Sequence, residues 1–252
     1  MVDIHCHILP AMDDGAKDIR ASMELCALAA DNNISHIIAT PHCMNLFEAE
    51  NFIKARDSRI KRVEKELEED EIPVKLYGGA EVLISDDIFY SPDLTEYKLA
   101  GSRYLLIEFV FDKVNFELVS KAVSLAKEQG LVPIIAHPER YRFFQRDYDF
   151  VNRVADLGVL FQVNISSILR ESPRVQIKLA KAMINAGMVS FIASDAHNLY
   201  YRNNALSEML DQVASGIERR NFKALLTDNG MAVIEDREIP YPDFSHIKKT
   251  LF

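Results

Sequence analysis

Cysteine is scarce, and the three that occur among 252 residues, Cys6, Cys26 and Cys43, form no paired framework. A disulfide scaffold is therefore excluded, and unpaired thiols suit a reducing, cytoplasmic setting. None of the three is followed six positions later by arginine, since Met12, Asn32 and Ala49 stand there, so the loop of a thiolate phosphatase is absent. No apolar run approaches the length of a membrane span. Met1 to Lys17 is acidic and lacks a basic or an apolar region of the kind that a signal peptide needs, so none is predicted. Basic charge is also in deficit, with 29 Lys and Arg against 38 Asp and Glu and a formal net charge of −9. Nucleic-acid backbone binding needs clustered Lys and Arg, so no such partner is expected. The chain has no G-x-S-x-G elbow, no phosphate-cradling G-x-x-x-x-G-K, no H-E-x-x-H, no low-complexity stretch and no internal repeat.

What is present is a regular alternation of strand and helix patterns, which implies a parallel sheet covered by helices. Short β-branched apolar runs predict strands at 2–6, 35–41, 74–83, 104–110, 132–137, 159–164 and 189–194. Helical patterns fill 18–32, opened by Asp18, and 48–70, where Ile53, Ile60, Val63 and Leu67 form one stripe. Asn115 is placed to cap a helix over 116–129, and Ser172-Pro173 to open one that stops at Gly187. Two further helices are expected at 203–214 and 217–228. Seven strands and a length suited to one domain predict a distorted (β/α)7 TIM-like barrel spanning 1–252. Residues 236–252 read as an irregular tail packed on the body or on a partner.

Nearly every strand ends in a histidine or a carboxylate. His5 and His7 flank Cys6, so both point to one face of the strand while Cys6 points to the core. His42 follows Ile37-Ile38-Ala39-Thr40-Pro41, Glu81 follows Gly78-Gly79, and Glu108 stands inside Leu106-Ile107-Glu108-Phe109. His137 ends the fifth strand, and Asp195-Ala196-His197 repeats the two-residue spacing of the opening motif. In a βα barrel the C-terminal strand ends converge on one mouth. Five histidines and three acids aimed there predict a multinuclear metal site. Gly15 lets Asp13 or Asp14 turn back toward it, and spacing does not choose between those neighbours. His36, before its strand, and His246, in the tail, fall outside the pattern. Arg140, three residues past His137, and Arg202, five past His197, offer guanidinium groups suited to an anionic oxygen substrate, phosphate above all.

These stretches resemble the PHP (polymerase and histidinol phosphatase) family of metal-dependent phosphoesterases. They are most similar to its bacterial protein-tyrosine phosphatases encoded with capsule and exopolysaccharide genes. The matching segments are Asp3 to Pro10 with Asp13-Asp14-Gly15, Ala39 to His42, Gly78 to Glu81, Leu106 to Phe109, Ile135 to Tyr141 and Ser194 to His197. The resemblance implies three divalent metals, with Mn2+ expected and Fe2+, Zn2+ or Co2+ allowed by the ligand chemistry. By the same similarity one metal is held by His5, His7, Glu81 and Asp195. A second is held by Glu81, Glu108 and His137, and a third by Asp14, His42 and His197. The implied reaction is metal-assisted hydrolysis of a phosphate monoester without a phosphocysteine, with Arg140 and Arg202 as candidate catalytic residues. The implied substrate is a phosphotyrosine protein, in particular a bacterial tyrosine kinase of polysaccharide export, with self-association left open.

Three alternatives stand beside this reading. A histidinol phosphatase would share the ligands and differ in its pocket. An amidohydrolase would usually place a lysine on the fourth strand, where this chain has Glu108. A binding module with an inherited inactive site is opposed by the complete ligand set.

Overall fold

The computed structural model describes residues 1–110, 114–219 and 221–248. Among them lie nine strands: β1 Val2–Cys6, β2 His36–Ala39, β3 His42–Cys43, β4 Lys75–Gly78, β5 Glu81–Ile84, β6 Tyr104–Phe109, β7 Val132–Ala136, β8 Leu160–Asn164 and β9 Phe191–Ala193. They form two parallel sheets, ordered β1-β2-β4 and β3-β5-β6-β7-β8-β9.

Seven expected strands become nine because two are interrupted. The second breaks at Thr40-Pro41, where proline has no N–H to donate. The third breaks beside it at Gly79-Ala80, and the Gly79 and Glu81 amides still reach Ala39 and Pro41 oxygens at 2.9 and 3.1 Å. The paired breaks move both chains from one sheet into the other in step, so His42 pairs with Glu81. The free edges of the two sheets also meet. The Asp195 amide donates to the His5 oxygen at 2.8 Å, and the His7 amide to the Ala196 oxygen at 2.9 Å.

Alternation along the strands divides the core. Ile4, Ile38, Leu106, Ile134 and Phe191 join one buried cluster. The adjacent residues Ile37, Leu105, Ile135 and Ile192 belong to the larger one that packs under the helices; Cys6 joins it too, past a register irregularity in β1. Both faces of the strands are thereby apolar, as parallel sheets require.

The helices are α1 Ile19–Asp31, α2 Ala49–Glu69, α3 Phe116–Glu128, α4 Arg142–Arg146, α5 Tyr148–Ala155, α6 Arg174–Asn185, α7 Leu206–Leu210 and α8 Asn229–Ile234. Asp18 caps α1 through the Ala21 amide at 2.9 Å, and Asn115 caps α3 through the Leu118 amide at 2.8 Å. Arg56 is buried with Ile60, Val63 and Leu67 in the α2 stripe, while Ile53 is only half-buried. Gly78 admits that arginine: a Cβ there would lie 2.8 Å from Arg56 Nε.

Several helix expectations need correction. Ser172 does not cap α6; its hydroxyl turns back to the Ser166 carbonyl, and Pro173 takes the cap position. The helix expected at 203–214 shrinks to α7, because Val213 is drawn into an antiparallel bridge with Leu169. The one expected at 217–228 starts late, since Asn185 holds the Gly216 oxygen and the Glu218 amide. A π-turn at Ala224–Asp228 then runs into α8. Helices α4 and α5 lie in a stretch for which the sequence reading gave none.

The tail from Asp236 to Lys248 lies along the body. Asp236 pairs with Arg103 at 3.0 Å, and Ile247 exchanges hydrogen bonds with Asn152 at 2.9 and 3.0 Å. Residues 249–252 fall outside the described part. Among the described residues no helix is long and apolar enough to cross a membrane.

Candidate metal centre

Seven of the nine residues expected to form a cluster arrive near the C-terminal ends of strands or in the loops beyond them, while His42 and Glu81 open the short strands β3 and β5 that follow the breaks after β2 and β4. Two are aimed by unusual backbone: His137 (φ 33°), directly after β7, and Asp195 (φ 54°), two residues after β9, adopt the left-handed region. Such conformations persist where the surrounding fold over-determines them, and they concentrate at functional sites.

Glu81 is the hub. Its Oε2 lies 3.1 Å from His5 Nε2, 3.2 Å from His7 Nε2 and 3.2 Å from His42 Nδ1, and its Oε1 lies 2.7 Å from His137 Nε2. The carboxylate is fully buried. Around it three overlapping groups have donor atoms close enough to share a cation: His5, His7, Glu81 and Asp195; His7, Asp14, His42 and His197; and His42, Glu81 and Glu108. The first agrees with the expected set, and the second adds His7 to its expected set. In the third, His42 stands where His137 was expected, because its Nδ1 lies 2.9 Å from Glu108 while His137 Nε2 lies 3.9 Å away.

The two neighbouring aspartates separate in role. Asp13 is spent on support: its carboxylate accepts from His7 Nδ1 at 2.7 Å and from the Gly15 and His42 amides, both at 3.0 Å. Asp14 instead faces His197 Nε2 at 3.2 Å and His42 Nε2 at 3.4 Å. Gly15 permits this loop, because a Cβ there would meet the His7 carbonyl oxygen at 2.1 Å.

The residues behind the cluster went unseen in the sequence. His5 Nδ1 lies 2.8 Å from Gln162 Oε1, Gln162 Nε2 donates to Asn164 at 2.8 Å, and Asn164 donates to Asp195 Oδ2 at 2.7 Å. His197 Nδ1 lies 3.0 Å from the Asp195 carbonyl oxygen. In His5, His7 and His197, an oxygen acceptor thus holds Nδ1 and leaves Nε2 for the cluster, the arrangement typical of metal-bound imidazole. The available signal was the alternation Gln162-Val163-Asn164, which puts two amides on one face of a strand end.

The electrostatics also call for a cation. Burial favours the neutral imidazoles, yet Glu81 and Asp195 raise His5, and Asp13, Asp195 and Glu81 raise His7 well above the usual range. Burial likewise favours the protonated acids, but His5 and its neighbours hold Glu81 and Asp195 well below the usual range. Burial with the charge of His7 lowers His197 to about 4. Glu81 Oε2, Asp195 Oδ1 and His197 Nε2 are buried without a hydrogen bond of good geometry. Orphaned lone pairs from carboxylates and imidazoles, with no thiolate, fit a divalent ion of intermediate hardness.

Arg140 and Arg202 meet at one oxygen, Asp195 Oδ2, at 2.9 and 2.5 Å. They face the cluster rather than the outer rim. His36 stays outside it, hydrogen-bonded to Ser35 and stacked on Tyr77, and His246 pairs with Asp156 at 2.9 Å.

Known proteins are similar to this one over nearly the whole chain. The family model for capsular polysaccharide synthesis, CpsB/CapC, matches residues 1–235. Tyrosine-protein phosphatase YwqE of Bacillus subtilis is 33% identical over 242 residues, covering 95% of this chain and 93% of its own. Tyrosine-protein phosphatase CpsB of Streptococcus pneumoniae is 29% identical, covering 95% of this chain and 100% of its own. A solved structure from work on these two proteins, described as unique metal-dependent tyrosine phosphatases, superposes with a TM-score of 0.85 at 30% identity, covering 99% of this chain and 100% of that one. At the level of fold alone, a zinc-bound amidohydrolase from Burkholderia ambifaria superposes with a TM-score of 0.50 at 13% identity over 88% of this chain. The chain belongs to the CpsB/CapC family of capsular polysaccharide synthesis proteins.

Proposed function

We propose that this protein is a metal-dependent protein-tyrosine phosphatase that hydrolyses phosphotyrosine on proteins of capsular or extracellular polysaccharide synthesis. The observation that carries the reading is Glu81, one buried carboxylate touched by four imidazoles from three different segments: the end of β1, the start of β3 and the end of β7. Family membership supplies the substrate class. In this reading one domain spans 1–252, and its two sheets form one distorted seven-stranded barrel. The hydrogen bonds from Asp195 and His7 across the free edges support that closure.

The ligands would be His5, His7, Asp14, His42, Glu81, Glu108, His137, Asp195 and His197, holding three divalent ions, with manganese the expected metal. Bound, the ions would supply Lewis acidity toward phosphoryl oxygens and a nucleophile from water at neutral pH. The chain's own part is positioning. Asp13 and Gln162 fix the histidine rings, and Asp195 holds Arg140 and Arg202 ready. Those arginines would bind the equatorial phosphoryl oxygens, where charge accumulates during transfer. A phenolate of fairly low basicity leaves with little help from a general acid. The substrate would be a phosphotyrosine protein, in particular a tyrosine kinase of polysaccharide export, in the cytoplasm, as three buried free thiols suit. A homo-oligomer remains compatible with it.

The test compares a phosphotyrosine peptide, a phosphoserine peptide and histidinol phosphate, with and without Mn2+. Metal-dependent release of phosphate from the first is expected. Preference for histidinol phosphate, or activity undiminished by chelation, would overturn the reading.

A further inference from the structure

Next to the cluster is a cavity of about 210 Å³ that shares His197 with it. Its apolar surface comes from Ala16 and Leu25, each 1% exposed, from Ala21 on α1, and from Leu199 and Tyr200. Lys17 and Glu24 bring one charge of each sign, so the cavity has no net preference for an ion.

The wall formed by Leu199 and Tyr200 is built to keep its shape. Asn198 Oδ1 accepts from the amides of Tyr200, Tyr201 and Arg202 at 3.0, 2.9 and 3.5 Å. The Arg202 oxygen accepts in turn from the His197 and Asn198 amides at 2.7 and 3.0 Å. The loop is thus closed on itself between a cluster histidine and an arginine of the site. It leaves Tyr200 84% exposed to solvent.

We propose that this cavity receives the aromatic ring of an aryl phosphate and makes the site selective for aryl over alkyl monoesters. The inference rests on the phosphatase reading above and names a determinant of its specificity. Two arguments carry it. In an aryl phosphate only the ester oxygen separates the ring from phosphorus, so a ring site must lie beside the phosphate site, and His197 both lines this cavity and belongs to the cluster. Its size also fits: an apolar cavity of roughly 150 Å³ takes a benzene ring, which leaves room here for the ring and its Cβ. The exposed Met44 and Phe47, after β3, offer the ring only an open surface, at 71% and 60% exposure.

The test uses phenyl phosphate and O-phosphoserine with the manganese-loaded enzyme. Ala21 is a partly exposed helical residue, so Ala21→Leu keeps the helix and fills the cavity. Its ratio of kcat/KM for phenyl phosphate over phosphoserine should fall roughly tenfold, the scale on which a hydrophobic pocket discriminates by a methylene or more. Leu199→Ala, which removes the opposite wall, should lower the same ratio, with metal content and thermal midpoint near the wild-type values for both variants. If the wild type hydrolyses both esters and neither variant moves the ratio by twofold, the cavity does not hold the ring, and the phosphatase reading stands. A ratio that falls only in Phe47→Ala overturns the assignment in favour of the outer rim. A metal-loaded wild type that hydrolyses neither ester overturns the phosphatase reading and this one with it.

Discussion

His7 and Asp13 are joined by a 2.7 Å hydrogen bond between Nδ1 and Oδ2, which spends one ring nitrogen on support and turns the other into the cluster. The Asp13 carboxyl is brought to about 2 because, although burial opposes it, His7 and the Gly15 and His42 amides outweigh that cost. Asp13→Ala should therefore weaken metal binding roughly 10- to 100-fold, the usual cost of losing such a supporting partner, while the fold survives. Competition with a chelator measures it; an unchanged affinity would show that Asp13 plays no part in orienting His7.

Glu81→Gln is expected to be the most damaging change among the acids. An NH2 donor replaces one carboxylate oxygen and is aimed at imidazole nitrogens, and a ligand shared between groups is lost. Elemental analysis should find reduced metal together with activity near background, and a full metal complement would refute the hub assignment. Asp14→Ala, at an edge where the carboxylate is 67% exposed, should leave the metals around Glu81 in place.

Arg140→Ala should retain metal yet lower turnover by roughly 10²-fold, as for loss of one preorganised charge donor. Arg140→Lys should restore part of it, because a point charge cannot make two parallel hydrogen bonds to phosphate. Inhibition by free phosphate should weaken alongside. Full activity in Arg140→Ala would leave Arg202 as the phosphate-binding residue.

Two glycines provide a contrast in stability. Gly15→Ala forces a Cβ to 2.1 Å from a backbone oxygen of His7. That contact has no flexible end to move, so about 1–3 kcal/mol of stability and the metal affinity should be lost together. Gly78→Ala meets the movable end of Arg56 at 2.8 Å and should cost about 1 kcal/mol or less. Denaturant midpoints read both, and equal costs would argue against the loop geometry at Gly15.

The cysteines should prove inert. Burial pushes the Cys26 thiol to about 12 and raises Cys6 and Cys43 as well. At pH 8, alkylating reagents should leave all three unmodified in the native protein by mass spectrometry, and the triple Cys→Ala variant should keep turnover within a few-fold. Rapid inactivation by alkylation would point to a thiol mechanism instead.

The strands were legible because runs buried on both faces are β-branched and short, and their ends coincide with the chemistry. The breaks at Pro41 and Gly79 were harder to see, since each lies inside a continuous apolar pattern that a two-sheet arrangement splits. The choice between Asp13 and Asp14 depended on the turn at Gly15, which spacing does not encode. Replacement of His137 by His42 near Glu108 depended on side-chain reach across β3, β5 and β6. Gln162 and Asn164 escaped notice because amides at a strand end look like solvent-facing polar residues. The helix expected at 203–214 is cut short at Leu210 because a tertiary contact, Val213 with Leu169, outweighs local propensity.

The contact of His5 and His7 with Asp195 carries a consequence for how the molecule comes into being. These residues are about 190 positions apart, so the ribosome must deliver roughly three quarters of the 252 residues before the cage has its full set of walls. A nascent fragment ending before β9 holds His5, His7 and Glu81 without the acid that completes them. Loading with metal is therefore expected to be a post-translational event that follows docking of the first strand against the last, and long-range closure of this kind is slow.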